Sequence, residues 1–238
     1  MSATPTRFAP EAVTYHGSLA EGWEHRYRKS SFQMRQAVLG NCLQGRNLAG
    51  TLWLDAGCGT GTLAHWLAAR GCSVLGVDAA PEMVVAANQS LRSDSHSDRL
   101  RFVHIKTISR LALDDRSLDG ILCSSVLEYL PDPSACLTEF ARVLKPRGLL
   151  LVSVPNRNSI ARRLQLACHH VGSLLGQSWC KFLDYSRHQY SRPEFDHLLV
   201  QTGFNEEVVV PFGGPLPRLA RRTCLWAPLL MFVAQKLA

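Results

Sequence analysis

No two of the eight cysteines in this 238-residue chain are spaced as C-x-x-C. That absence excludes the usual zinc and dithiol-redox spacings. Scattered through apolar stretches, Cys42, Cys58, Cys72, Cys123, Cys136, Cys168, Cys180 and Cys224 read as small core residues kept reduced. No apolar run approaches the roughly 20 residues that a membrane-crossing helix needs. The longest, 225–234, is interrupted by Pro228. The first ten residues are polar and broken by proline, so a secretory leader is not expected and the protein is expected to be cytoplasmic. Acidic residues are in short supply, with Asp+Glu 19 against Lys+Arg 26 and a formal net charge of +7. Such an excess suits an anionic small molecule, a membrane surface or nucleic acid, but selects none of them. No run of five basic residues occurs, and scattered arginines read first as a solvated surface. With 46% hydrophobic and 19% charged residues, wholesale disorder is excluded. The length suits one domain with a small insertion.

What is present alternates between strand and helix. Strands are expected at 51–55, 73–78, 100–106, 119–123 and 148–154, separated by helices at 62–70, 81–90 and 133–144. These strands are almost continuously apolar rather than alternating, as in a sheet covered by helices on both faces. The pattern defines an open α/β sheet. Residues 1–50 form a preceding helical segment, with a helix at 32–42, and 51–238 form the main domain. Within that domain, 156–190 is an insertion. A helix at 193–201 and strands at 206–210 and 229–235 complete the chain.

The chemistry concentrates where the first strand meets its helix. Asp55-Ala-Gly57-Cys58-Gly59-Thr-Gly61 places three glycines between them, so the backbone can turn tightly and lie bare against a ligand. The helix start beyond offers free N–H groups to an anionic group such as a carboxylate. A glycine loop alone is weak, because tight turns need glycine for structural reasons. Asp78, ending the second strand, is the decisive addition, since it can accept both hydroxyls of a ribose held at the sheet's carboxyl edge. Loop and acid together point to a nucleotide-like cofactor. The G-x-G-x-G spacing disfavours a dinucleotide, whose fingerprint is G-x-G-x-x-G.

Asp55-Ala-Gly-Cys-Gly-Thr-Gly61, Val77-Asp78 and Leu144-Lys-Pro-Arg-Gly148 resemble the class I S-adenosylmethionine-dependent methyltransferases over residues 50–155. Within that class, Cys123-Ser-Ser-Val-Leu-Glu128-Tyr129-Leu-Pro131-Asp-Pro133 is similar to the ubiquinone-biosynthesis-type small-molecule O-methyltransferases. Asn156-Arg-Asn158 and Arg187-His188-Gln-Tyr190 match the ends of their insertion more loosely. The resemblance implies a Rossmann-like, seven-stranded, mostly parallel sheet with helices on both faces, its last strand antiparallel, plus a helical lid. It implies S-adenosylmethionine with its methionine end at Gly57 to Gly61 and its ribose at Asp78. Ala79 and Met83 would flank the adenine, Thr107 and Ile108 would close its far edge, and Ser124 and Ser125 would line the floor near the sulfonium. Arg35 lies where the relatives place an arginine that reaches the cofactor. Asp55 and Cys58 belong to the loop. The ubiquinone enzymes carry Glu-x-x-Glu-His after the fourth strand, whereas this chain has Ser125-x-x-Glu128-Tyr129. One of three polar groups survives, so no metal is expected.

Methyl transfer from a sulfonium needs alignment and a dry site, and a hydroxyl acceptor also needs a proton acceptor. His188, just after the insertion, is the first candidate, against an equal alternative as a surface histidine. Glu128 is the second, with Tyr129 beside it; its alternative is a carboxylate paired with an arginine. In the insertion, apolar residues fall at 160, 164, 167, 168, 171, 174 and 175. Arg162, Arg163, Gln165, His169, His170 and Ser173 take the opposite face. That is a basic amphipathic helix, covering the acceptor pocket or resting on a membrane surface, with the lid favoured. Leu216-Pro-Arg-Leu-Ala-Arg-Arg222 with Trp226 is a second basic, apolar contact. The leading expectation is methylation of a small lipophilic or aromatic acceptor at a hydroxyl oxygen. The alternatives are methylation of nitrogen or carbon, an RNA methyltransferase, which the dispersed arginines disfavour, and a non-catalytic interaction module.

Overall fold

The computed structural model describes residues 10–23, 30–177, 179–214 and 224–238. Seven strands form one sheet: β1 (Leu52–Ala56), β2 (Ser73–Asp78), β3 (Leu100–His104), β4 (Leu118–Ser124), β5 (Leu144–Pro155), β6 (Phe204–Phe212) and β7 (Leu229–Lys236). Their order is β3-β2-β1-β4-β5-β7-β6. The pairs among β1 to β5 are parallel, while β7 runs antiparallel to both β5 and β6. The order reverses between β1 and β4. Connections leave in opposite directions there, and a crevice opens at the carboxyl ends of those two strands.

Successive side chains of the central strands alternate between two cores, which explains the unbroken apolar runs. Trp53 and Leu122 pack on one face with Leu39 and Leu67. Their neighbours Leu54 and Ile121 pack on the other with Phe140, Phe195 and Phe232. Gly120 is the cost of fitting the indole, since a Cβ there would sit 2.5 Å from the Trp53 ring.

The helices are α1 (Pro10–Gly17), α2 (Ser30–Cys42), α3 (Thr62–Ala68), α4 (Pro81–Ser90), α5 (Pro133–Val143), α6 (Ile160–Leu174) and α7 (Arg192–Gln201). Proline opens α4 and α5, where its missing N–H costs nothing. Asp132 caps α5 by accepting from the Ala135 N–H at 3.0 Å. Glu194 accepts from the Ser191 N–H at 2.8 Å and closes the start of α7.

Several boundaries move. β5 begins at Leu144, so Leu144-Lys-Pro-Arg-Gly148 lies within the strand rather than before it. β3 ends at His104 and α3 at Ala68. Four cysteines (58, 72, 123, 136) are buried as expected, but Cys168 and Cys224 are exposed. The larger correction concerns α6. Arg162, assigned to the outward polar face, is 4% exposed, whereas Leu164, Val171, Leu174 and Leu175 face outward. Periodicity tells which residues share a face, but only the packing decides which face turns inward. The Leu216–Arg222 stretch lies outside the described residues.

Candidate active site

The glycine loop is pulled against the end of β2 by two N–H groups, from Gly57 at 2.8 Å and Cys58 at 3.0 Å, both donating to the Val77 carbonyl. Asp78 then ties the loop to the next helix. Its Oδ2 accepts from the Gly59 N–H and its Oδ1 from the Ala80 N–H, each at 2.8 Å. The Ala79 N–H bonds the carboxylate as well, which leaves one of its four lone pairs for another donor. Burial raises the Asp78 pKa despite these bonds. Gly57 has φ +75°, and a Cβ on it would meet Val126 Cγ2 at 2.3 Å, so the bare backbone is a steric requirement.

This loop forms one end of a cavity of about 400 Å³. Gly57, Cys58, Gly59, Asp78, Ala79 and Met83 line that end. At the other end stand Ser124, Ser125, Glu128 and Tyr129, from the segment after β4. Arg35 of α2 also reaches the wall, donating to Ser124 Oγ at 3.3 Å and Ser125 Oγ at 3.0 Å. The roof comes from distant parts of the chain: His16 of α1, Arg162 of α6 and Phe182 of the turn Lys181–Asp184.

Five expected site residues stand away from the wall. Asp55 lies beneath the loop, 2% exposed, with Oδ2 lacking a hydrogen-bond partner. Burial, then the neighbouring Asp78 charge, pushes its pKa up to about 7. Gly61 starts α3 with φ +83°, and a Cβ there would strike the Phe102 ring at 2.5 Å. Ile108 is fully buried in the core with Leu54 and Val77. The Thr107 hydroxyl accepts from the Ser109 N–H at 3.1 Å. His188 lies behind the wall, its Nε2 2.9 Å from the Leu130 carbonyl. A carbonyl only accepts, so that nitrogen carries the proton. Its backbone N–H, with that of Arg187, donates to the Glu128 carbonyl.

The Glu128 side chain is buried, and its Oε2 has no hydrogen-bond partner. Burial pushes its pKa up to about 7, against the opposing charges of Arg162 and Arg35. Burial also raises the Tyr129 pKa. The roof residues were missed in sequence. His16 is the clearest omission: Nδ1 lies 2.7 Å from the Ala12 carbonyl and so holds the proton, leaving the Nε2 lone pair available. Its ring meets Tyr129 edge-on at 4.6 Å, and burial lowers its pKa. Next to it, Tyr15 stacks on Tyr185 of the insertion at 4.8 Å, joining α1 to that segment. No local motif marks either residue. Among the described residues, no group of three or more His, Cys, Asp or Glu could hold a metal ion.

The cavity fits S-adenosylmethionine on structural grounds: a loop with no room for a Cβ at Gly57, a strand-end carboxylate bonded to that loop, and the thioether side chain of Met83 in the same wall. Comparison with known proteins agrees. Residues 54–152 match the family described as Methyltransferase domain. The seven-stranded fold is that of the S-adenosylmethionine-dependent methyltransferases.

More particularly, the chain is 29% identical over 168 residues to the ubiquinone biosynthesis O-methyltransferase of Psychrobacter arcticus, covering 68% of this chain and 62% of that one. It is 37% identical over 142 residues to the protein of the same name from Xylella fastidiosa, covering 59% and 56%. The chain thus spans less than two thirds of either relative. Among solved structures, it resembles magnesium protoporphyrin IX methyltransferase from Synechocystis PCC 6803 with bound SAH, with a TM-score of 0.72 at 19% identity, covering 95% of this chain and 98% of that one.

Proposed function

We propose that the protein transfers a methyl group from S-adenosylmethionine to a small lipophilic or aromatic acceptor, at a hydroxyl oxygen. One observation carries this reading: a single cavity joins a glycine loop and ribose-type carboxylate to a second compartment under a roof of α1 and α6. The bound cofactor supplies a methyl group already activated on its sulfonium. Asp78 accepts from the ribose hydroxyls, Ala79 and Met83 flank the adenine, and Arg35 serves the cofactor's carboxylate. Cys58 takes no covalent part, because burial raises its thiol pKa well above the usual value and direct transfer needs no nucleophile on the protein.

For the proton of the acceptor, the His16 Nε2 lone pair replaces His188 as the leading base, and Glu128 is the second. Both face the cavity; His16 is a base in its neutral form, whereas Glu128, its pKa raised to about 7 by burial, acts as one only once ionised. The roof excludes water from the transfer. Outside it, Leu164, Val171, Leu174, Leu175 and Trp179 are exposed beside Arg163 and His170, a surface suited to resting on an anionic bilayer. No described helix is long and apolar enough to cross one.

The test uses methyl-labelled S-adenosylmethionine with lipophilic extract, polar metabolites and total RNA as separate acceptor pools. Label is expected in the lipophilic pool. Label confined to RNA would overturn the acceptor class, and cofactor binding without label in any pool would overturn the catalytic reading. Asp78→Ala weakens cofactor affinity by about 1–3 kcal/mol through lost ribose hydrogen bonds. His16→Ala slows turnover with that affinity unchanged.

A further inference from the structure

The roof of the cavity contains a guanidinium that the methyl donor does not require. Arg162 is 4% exposed, its Nε has no hydrogen-bond partner, and it forms no ion pair among the described residues. Its remaining contacts are neutral: Nη2 donates to Ser186 Oγ at 3.1 Å, and Nη1 lies 3.5 Å from Gln165 Oε1. Burial lowers the Arg162 pKa against the opposing charge of Glu128, and a buried cation held in no close ion pair is costly. A guanidinium has five N–H donors, and these two contacts leave most of them unused.

The charge count at this end of the cavity points the same way. Glu128 and Tyr129 feel the positive charges of both Arg35 and Arg162. Among the described residues, the carboxylates lining the cavity are Asp78, tied to the glycine loop, and Glu128, whose pKa burial raises to about 7. S-adenosylmethionine has a single carboxylate, which in the proposed function falls to Arg35, itself bonded to Ser124 and Ser125. One guanidinium is therefore left over. The guanidinium lies over the Phe182 ring, its Cζ 5.5 Å from the centroid, and both residues line the cavity.

We propose that Arg162 is the specificity residue of an acceptor subsite that takes an aromatic carboxylate, with the carboxylate on the guanidinium and the ring against Phe182. A planar fork of N–H donors matches a carboxylate bidentately, which a neutral acceptor could not exploit. The sulfonium of the donor adds a second positive charge to the same compartment. The subsite deepens the methyltransferase reading and rests on it.

Benzoate and its neutral isostere benzamide serve as probes, each titrated calorimetrically into protein saturated with S-adenosylhomocysteine. Benzoate is expected to bind about tenfold or more tighter, the gain typical of a hydrogen-bonded charged group. Arg162→Met removes that preference, and Arg162→Lys keeps part of it. In wild-type protein, the Arg162 Nε NMR resonance shifts on addition of benzoate but not of benzamide, a readout that needs no variant to fold. Equal binding of the two probes overturns the proposal. So does a preference that survives Arg162→Met, or one lost instead in Arg35→Met. Failure of the wild-type protein to bind S-adenosylhomocysteine would instead defeat the methyltransferase reading itself.

Discussion

The two ends of the cavity are built on different principles. The loop end is a continuous stretch of chain, β1 to α4, whose backbone N–H groups close on Val77 and Asp78 within 24 residues of sequence between Asp55 and Asp78. Its side chains pack into both cores, and no larger residue fits at Gly57. The acceptor end is assembled from α1, α2, the segment after β4 and the insertion. Its joints link distant segments: Tyr15 on Tyr185, His16 on Tyr129, Arg35 on two serines, with Gly17 against Glu82 and Leu39 in the core. Most of α6 beyond its first turn is exposed. A donor common to many reactions suits a fixed cradle, while an acceptor particular to one reaction suits a cover assembled from variable parts.

If the loop end is the rigid one, perturbing it should cost most. Gly57→Ala adds a Cβ 2.3 Å from Val126 at φ +75°. Left-handed strain and overpacking together destabilise by about 4 kcal/mol, and cofactor binding falls with them. A melting temperature and donor affinity like those of the wild type would show that the loop yields.

A second perturbation of the same end works in the opposite direction. Asp55 and Glu128 have pKa values raised to about 7, so the folded protein binds protons that the unfolded chain has released. The free energy of unfolding therefore falls as pH rises from about 4 to about 7 and levels beyond. Asp55→Asn removes the buried carboxylate and flattens part of that slope, stabilising by about 2 kcal/mol at pH 8. Urea titrations at pH 5 and pH 8 measure it. An equal loss at both pH values would show that the carboxylate is stabilised by its surroundings.

The cover should yield the smallest change in stability. Leu174 is 74% exposed and Leu175 is 64% exposed. The double substitution to Asp shifts unfolding by no more than about 0.5 kcal/mol, yet abolishes sedimentation with anionic vesicles. Substantial destabilisation would mean that this face packs on the domain, and unchanged vesicle binding would move the membrane contact elsewhere.

The same division governs what could be read in advance. The alternation of apolar strands and capped helices needs only local signals, so every expected strand is present, with shifted ends. The tight turn at Gly57 and the bond of Asp78 to the Gly59 N–H were legible because these contacts run between neighbours in sequence. Ile108 was not, because its place in the core with Leu54 and Val77 depends on how strands pair. His188 looked well placed by chain position, but its ring turned to the Leu130 carbonyl. His16 had no motif to announce it.

Arg162 shows the limit most plainly. Heptad-like spacing grouped it with Arg163 on a polar face, yet two adjacent arginines point to opposite environments, one under the roof and one outside. The sequence by itself determined the layered α/β fold and the glycine loop closed on Asp78, because hydrophobic period, glycine spacing and a strand-end carboxylate act over short distances. Only the tertiary structure decided the contents of the acceptor compartment. Burial is set by whatever distant segment packs above a residue, and it alone turns a surface arginine into a buried, unpaired cation and a remote histidine into a neutral base.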